Sequence, residues 1–128
     1  MTAKLTRIFI ADDVKTVRVA IRRILEQEPD FQVVGESEDY AETLERAAAL
    51  KPDVLISDLR MRAGPKAQPS DFAELARVCG CKVVAVTFAA IAHGVRAVAN
   101  DMGAAQILDK VTLADTLVPA IREVTAAK

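Results

Sequence analysis

Apolar residues gather in five short runs: Ile8-Phe9-Ile10-Ala11, residues 31–34, Val54-Leu55-Ile56, residues 83–86 and residues 105–108. The central runs are continuous rather than alternating, the pattern of strands covered on both faces. The stretches between them carry helical spacing. Val14, Val17, Ile21, Ile24 and Leu25 form one stripe, and Leu44, Ala47, Ala48 and Leu50 a second. Phe72, Leu75, Ala76 and Val78 predict a short third helix after a loop with Gly64, Pro65, Pro69 and Ser70, capped by Ser70 or Asp71. Ile91, Val95, Val98 and Met102 form a fourth stripe, and Leu113, Leu117, Ile121 and Val124 a fifth. Pro29, Pro52 and Gly103 mark helix ends. The alternation predicts an α/β fold of the (βα)5 type, an open parallel sheet with right-handed crossovers and helices on both faces. Periodicity does not give the strand order.

The length, 128 residues, fits one domain spanning 1–128. With 52% apolar residues, only one Tyr and four Phe, and no Trp, its core has to come from Val, Ile, Leu and Ala. Seventeen basic and eighteen acidic residues leave a net charge of −1, without the basic footprint of a nucleic-acid binder. Cys79 and Cys81 are too few and too close in sequence for a disulfide scaffold, and read as reduced packing residues at a strand entrance. No apolar run reaches the length of a membrane span and residues 1–7 lack a signal-peptide core, so a cytoplasmic protein is expected. His93, the single histidine, reads as a surface residue and argues against a phosphohistidine donor. Arg18, Arg22 and Arg23 read as a solvated helix face, with attraction of an acidic partner as the alternative.

The chemistry lies at the carboxyl ends of the predicted strands. Asp12 and Asp13 end the first, Asp58 the third and Thr87 the fourth, and Lys110 follows the fifth. Open α/β sheets bind ligands there. Three converging carboxylates repel one another, and a hard divalent cation such as Mg²⁺ relieves them with oxygen ligands. One carboxylate can then attack phosphorus to give an aspartyl phosphate, with a nearby ammonium and hydroxyl receiving the phosphoryl oxygens.

The segment Ile8-Phe9-Ile10-Ala11-Asp12-Asp13, the segment from Pro52-Asp53 through Ser57-Asp58-Leu59-Arg60-Met61, Thr87 and Lys110 together resemble the receiver domains of two-component response regulators. With Glu28-Pro29-Asp30-Phe31 and Val33-Val34-Gly35-Glu36, the chain is most similar to receivers of the subfamily that often carries a helix-turn-helix output. The resemblance covers almost the whole chain and implies a flavodoxin-like, doubly wound five-stranded sheet of order 2-1-3-4-5. It implies that Asp58 is the phosphoacceptor, that Asp12, Asp13, Asp58 and the Arg60 backbone carbonyl hold Mg²⁺, and that Thr87 and Lys110 bind the phosphoryl group. A sensor histidine kinase or phosphotransfer protein would be the donor. Phosphorylation would pull Thr87 inward and bias a surface on the fourth and fifth strand–helix units, which binds a downstream protein or a second copy of the chain. No direct nucleic-acid or membrane binding is expected. With no output domain after residue 128, the chain reads as a stand-alone receiver or a truncated regulator.

Four positions depart from the family pattern. Arg62 stands where Pro is usual, Phe88 where a small residue follows the Thr, Ile107 where an aromatic precedes the Lys, and Val111 where Pro follows it. A trans peptide is expected before Val111. Ile107 has no ring to couple to Thr87, which alters the usual readout, and Phe88 either crowds the phosphoryl entrance or packs against a neighbouring helix. These departures keep a second reading open, a receiver fold retained as a phosphorylation-independent interaction module. An aspartyl-nucleophile phosphatase fits less well, because Arg60 occupies the place of its usual second Asp; no independent enzyme activity is expected.

Overall fold

The computed structural model describes residues 4–61, 68–88 and 94–126. The apolar runs form five strands, β1 (Thr6–Ala11), β2 (Phe31–Ser37), β3 (Val54–Asp58), β4 (Lys82–Thr87) and β5 (Ala104–Asp109). They alternate with α1 (Lys15–Glu26), α2 (Tyr40–Leu50), α3 (Ser70–Cys79), α4 (Val95–Asp101) and α5 (Leu113–Ala126), the last entered through a short 3-10 turn at Lys110–Thr112. All strand pairs are parallel, in the order β2-β1-β3-β4-β5. This is the flavodoxin-like order.

The period of two along each strand divides the core between two faces. Ile8, Ile10, Val54, Ile56, Val84 and Val86 meet Ile21 and Leu25 of α1 and Leu117, Ile121 and Val124 of α5. Phe9, Ala11, Leu55, Val83 and Ala85 meet Tyr40 and Ala47 of α2, Phe72 and Leu75 of α3 and Val95 and Ala99 of α4. Both faces are covered, which is why the strands read as continuous apolar runs.

The predicted stripes are corrected in places. Ala48 and Val78 face solvent, and the buried side of α2 is Tyr40, Thr43 and Ala47. Neither Ser70 nor Asp71 caps α3. Pro69 takes the cap position, and the Asp71 carboxylate reaches back to accept from the Gln68 amide at 3.0 Å. The pair β1–β2 shifts register after Ile8, so that Phe9 lies opposite Gly35. A Cβ at Gly35 would fall 2.7 Å from the Phe9 ring, so only glycine admits that approach. Arg62, Ile91, His93 and most of the loop before α3 lie outside the described residues.

From β1 the chain runs outward to β2, and from the neighbouring β3 it runs the opposite way to β4. That divergence opens a crevice above the carboxyl ends of β1 and β3. Asp12 directly follows β1 and Asp58 closes β3.

Candidate functional site

The β1–α1 turn builds the first side of the crevice. Asp12 is fully buried, donates its amide to the Ser37 carbonyl (3.1 Å) and accepts the Val14 amide on Oδ1 (2.9 Å). Asp13 beside it is exposed. Asp58, 6% exposed, accepts the Arg60 amide on Oδ1 at 3.1 Å, a short turn that aims the carboxylate back across the strand ends. One carboxylate oxygen each from Asp12, Asp13 and Asp58 lies within 4.8 Å of the others.

Lys110 enters from the end of β5 and bridges two of the acids. Its Nζ lies 2.7 Å from Asp12 Oδ2 and 3.1 Å from Asp58 Oδ2, with the lysine side chain almost wholly covered. Burial opposes the charged ammonium, but the two carboxylates outweigh it and hold the Lys110 pKa above its ordinary value. Asp58 is pushed up, chiefly by burial; the Arg60 amide and Lys110 pull it down, and the charge of Asp12 adds to the rise. Although Lys110 is near, Asp12 Oδ2 accepts no well-directed hydrogen bond.

The charge balance and that oxygen together bear on whether a metal suits the pocket. Three carboxylates against one ammonium leave an excess of two negative charges, and one buried oxygen still lacks a directed donor. An all-oxygen donor set of this kind fits a hard divalent cation such as Mg²⁺.

The other expected residues are less uniform. Thr87 is buried at the end of β4, but its hydroxyl donates to the Phe88 carbonyl (3.0 Å), with no hydrogen bond to Asp58 among the described residues. Arg60 is exposed and meets Asp58 through its amide. Phe88 is 58% exposed, with its ring 5.2 Å from Lys110 Nζ. The ring also walls a cavity of about 290 Å³ with Thr16, Val17, Ala20 and Val111. The ring therefore stands beside the crevice and faces α1 across that cavity. Ile107 packs half-buried against the core, Val111 is exposed, and its peptide bond is trans, there being no cis bond among the described residues.

Two residues escaped the sequence reading. Arg18 is not part of a solvated face: it is buried, donates to the Asp12 carbonyl at 2.6 Å and pairs with Glu36 and Glu38 on β2 and just beyond it. Arg22 shares Glu36, and of the three only Arg23 is exposed. The signal was present, because Arg18 lies three and seven residues before Ile21 and Leu25 and so on the buried side of α1. Tyr40, buried at the start of α2, donates its hydroxyl to the Leu59 carbonyl between Asp58 and Arg60. Burial first, then the charge of Asp58, pushes its phenol up to about 12. As a lone aromatic after a cap residue, it carried no such signal.

Comparison with known proteins decides the family. The family model described as the response regulator receiver domain matches residues 8–122. The chain belongs to the response regulator receiver family. The receiver is 38% identical over 61 residues to a protein-glutamate methylesterase/protein-glutamine glutaminase of Thermotoga maritima, covering 48% of this chain and 18% of the relative. It is 40% identical over 55 residues to the transcriptional regulatory protein LiaR of Bacillus subtilis, covering 43% of this chain and 26% of that protein. The matched segments cover about a quarter or less of these relatives, and the activities in their names belong to proteins longer than this chain. Among solved structures, the signal receiver domain of the putative response regulator NarL from Mycobacterium tuberculosis superimposes with a TM-score of 0.82 at 26% identity, over 98% of this chain and all of that one. No helix among the described residues is long and apolar enough to cross a membrane.

Proposed function

We propose that this receiver is a phosphorylation-dependent switch in which Asp58 accepts a phosphoryl group. The observation that carries the reading is the convergence of Asp58 with Asp12, Asp13 and Lys110 in one crevice at the switch point of the sheet. An Asp58 carboxylate oxygen forms the new bond to phosphorus as the phosphorus–nitrogen bond of a phosphohistidine breaks, and the imidazole leaves with the bonding pair. The donor is a sensor histidine kinase or a phosphotransfer protein. Lys110 moves with the charge, from the Asp58 carboxylate to the phosphoryl oxygens. The Thr87 hydroxyl exchanges the Phe88 carbonyl for a phosphoryl oxygen, which shifts the end of β4 and the surface that follows it.

Asp12, Asp13, Asp58 and the Arg60 carbonyl would hold Mg²⁺, which when bound neutralises the carboxylates and the incoming phosphoryl charge. Arg60 adjoins Asp58 through its amide contact, and its carbonyl would add a further oxygen donor. The output is a protein surface read in the cytoplasm by a downstream partner or by a second copy of the receiver. With Ile107 in place of an aromatic ring, that surface is set by the β4 end and Phe88 rather than by a rotating side chain.

Beryllofluoride with Mg²⁺, a mimic of the phosphoryl group, tests this in solution. In ¹H–¹⁵N spectra the amides of Arg60, Thr87, Phe88 and Val111 are expected to shift together, with no shift in Asp58→Asn. Spectra unchanged by beryllofluoride would leave a fold kept for interactions alone.

A further inference from the structure

We propose that Arg18 is a positioning residue of the acidic pocket, holding Asp12 and Asp13 in place through the backbone carbonyl of Asp12. The inference rests on the Mg²⁺ reading of the pocket and adds to it a residue with no contact to metal or phosphoryl group.

A helix arginine that served only solubility would extend into water. Arg18 is 8% exposed and is tucked beneath the β1–α1 turn. Burying a guanidinium is costly unless it is fully partnered, and its partners occupy two different sites. Nε and Nη2 meet the carboxylates of Glu36 and Glu38 at 3.2 and 3.3 Å, while Nη1 donates to the Asp12 carbonyl at 2.6 Å. Arg22 holds the other oxygen of Glu36, its Nε donating at 2.7 Å, so this acid is fixed from two turns of α1.

The Asp12 peptide is thereby gripped on three sides. Its amide is tied to Ser37, its Oδ1 to the Val14 amide and its carbonyl to Arg18. Only Oδ2 is left, and it faces Lys110 inside the pocket. A metal ligand held this way has its orientation set before the cation arrives. Asp13 follows in the same turn and inherits that placement.

Charge and positioning make opposite predictions. Arg18 is a cation close behind the pocket, so its field alone weakens the binding of another cation. Removing the charge would tighten Mg²⁺ binding if the field were all that mattered. Positioning predicts that removal weakens it.

Mg²⁺ is titrated by calorimetry into the wild-type receiver, Arg18→Gln and Glu38→Gln, and exchange of the Val14 amide is followed by NMR without metal. Arg18→Gln is expected to bind Mg²⁺ about tenfold more weakly and to lose protection at Val14, whereas Glu38→Gln, which keeps the bond to Asp12, stays close to wild type in both. Mg²⁺ affinity in Arg18→Gln equal to or above wild type overturns the proposal. Should the wild type take no Mg²⁺, the metal reading fails on its own account, and unchanged Val14 protection in Arg18→Gln is then what overturns the positioning role. Should Arg18→Gln not fold, Arg18→Lys replaces it. With one ammonium for three acceptors it is expected to bind several-fold more weakly, and wild-type affinity there contradicts the proposal.

Discussion

Within the crevice, Lys110 lies within 3.1 Å of Asp12 and Asp58, yet it cancels only one of three carboxylate charges. Burial, with the charge of Asp12 behind it, raises Asp58 despite the Arg60 amide and Lys110. A carboxyl raised in this way holds its proton more tightly folded than unfolded, so ionising it costs stability. The cost is absent in acid, below the ordinary carboxylate range, and grows as pH rises through the raised one. Asp58→Asn is therefore expected to melt a few degrees above the metal-free wild type at neutral pH. The gap should close as pH falls toward about 4. Thermal melts across that range check it, and coincident melting at neutral pH would show that the pocket stores no such strain. Cys81 offers a second test at this scale. It is 4% exposed, and burial, assisted by Cys79, pushes its thiol up to about 11. At pH 8 a disulfide reagent should modify Cys81 only at the rate of unfolding, measured against the same reaction in urea. Rapid modification of the native protein would mean that the strand entrance opens locally.

Strands and helices were legible where burial alone decides them. Val54-Leu55-Ile56 and residues 83–86 were visible because both faces of a central parallel strand are apolar. The end of β2 was not, because pairing rather than hydrophobicity sets it: the strand continues through Gly35, Glu36 and Ser37 by bonding to β1. For α3 the side-chain chemistry misled, since Asp71 serves the backbone ahead of Pro69 instead of occupying the cap position. The contact between Gly35 and Phe9 gives a prediction for β1–β2. Gly35→Ala would force a methyl against the ring and the Leu50 side chain, costing about 1–3 kcal/mol in urea unfolding. A neutral result would mean that Phe9 turns aside without loss. Tyr40 ties α2 to the turn after β3, and Tyr40→Phe leaves the Leu59 carbonyl without that donor. The expected loss is about 1 kcal/mol, with weaker Mg²⁺ binding, because the turn carries Asp58 and Arg60.

Over the whole molecule, one topological fact brings the sequence motif to a point. The order β2-β1-β3-β4-β5 sets β1 beside β3, so acids 45 or more positions apart share a crevice. Asp12, Asp13, Asp58 and Lys110 were legible because each follows a recognisable strand. The orientation of Thr87 toward Phe88 and the hold of Arg18 on Asp12 were not, since both depend on backbone carbonyls whose positions no residue pattern encodes. In the proposed switch Asp58 is the sole acceptor and its neighbours are the means of charging it. The most direct test is the intact mass of the protein after incubation with acetyl phosphate and Mg²⁺, beside Asp58→Asn and a chelator control. A single phosphoryl adduct that requires the metal and is lost in the variant is the predicted result. An adduct that persists in Asp58→Asn, or none under conditions that label another receiver, would contradict it.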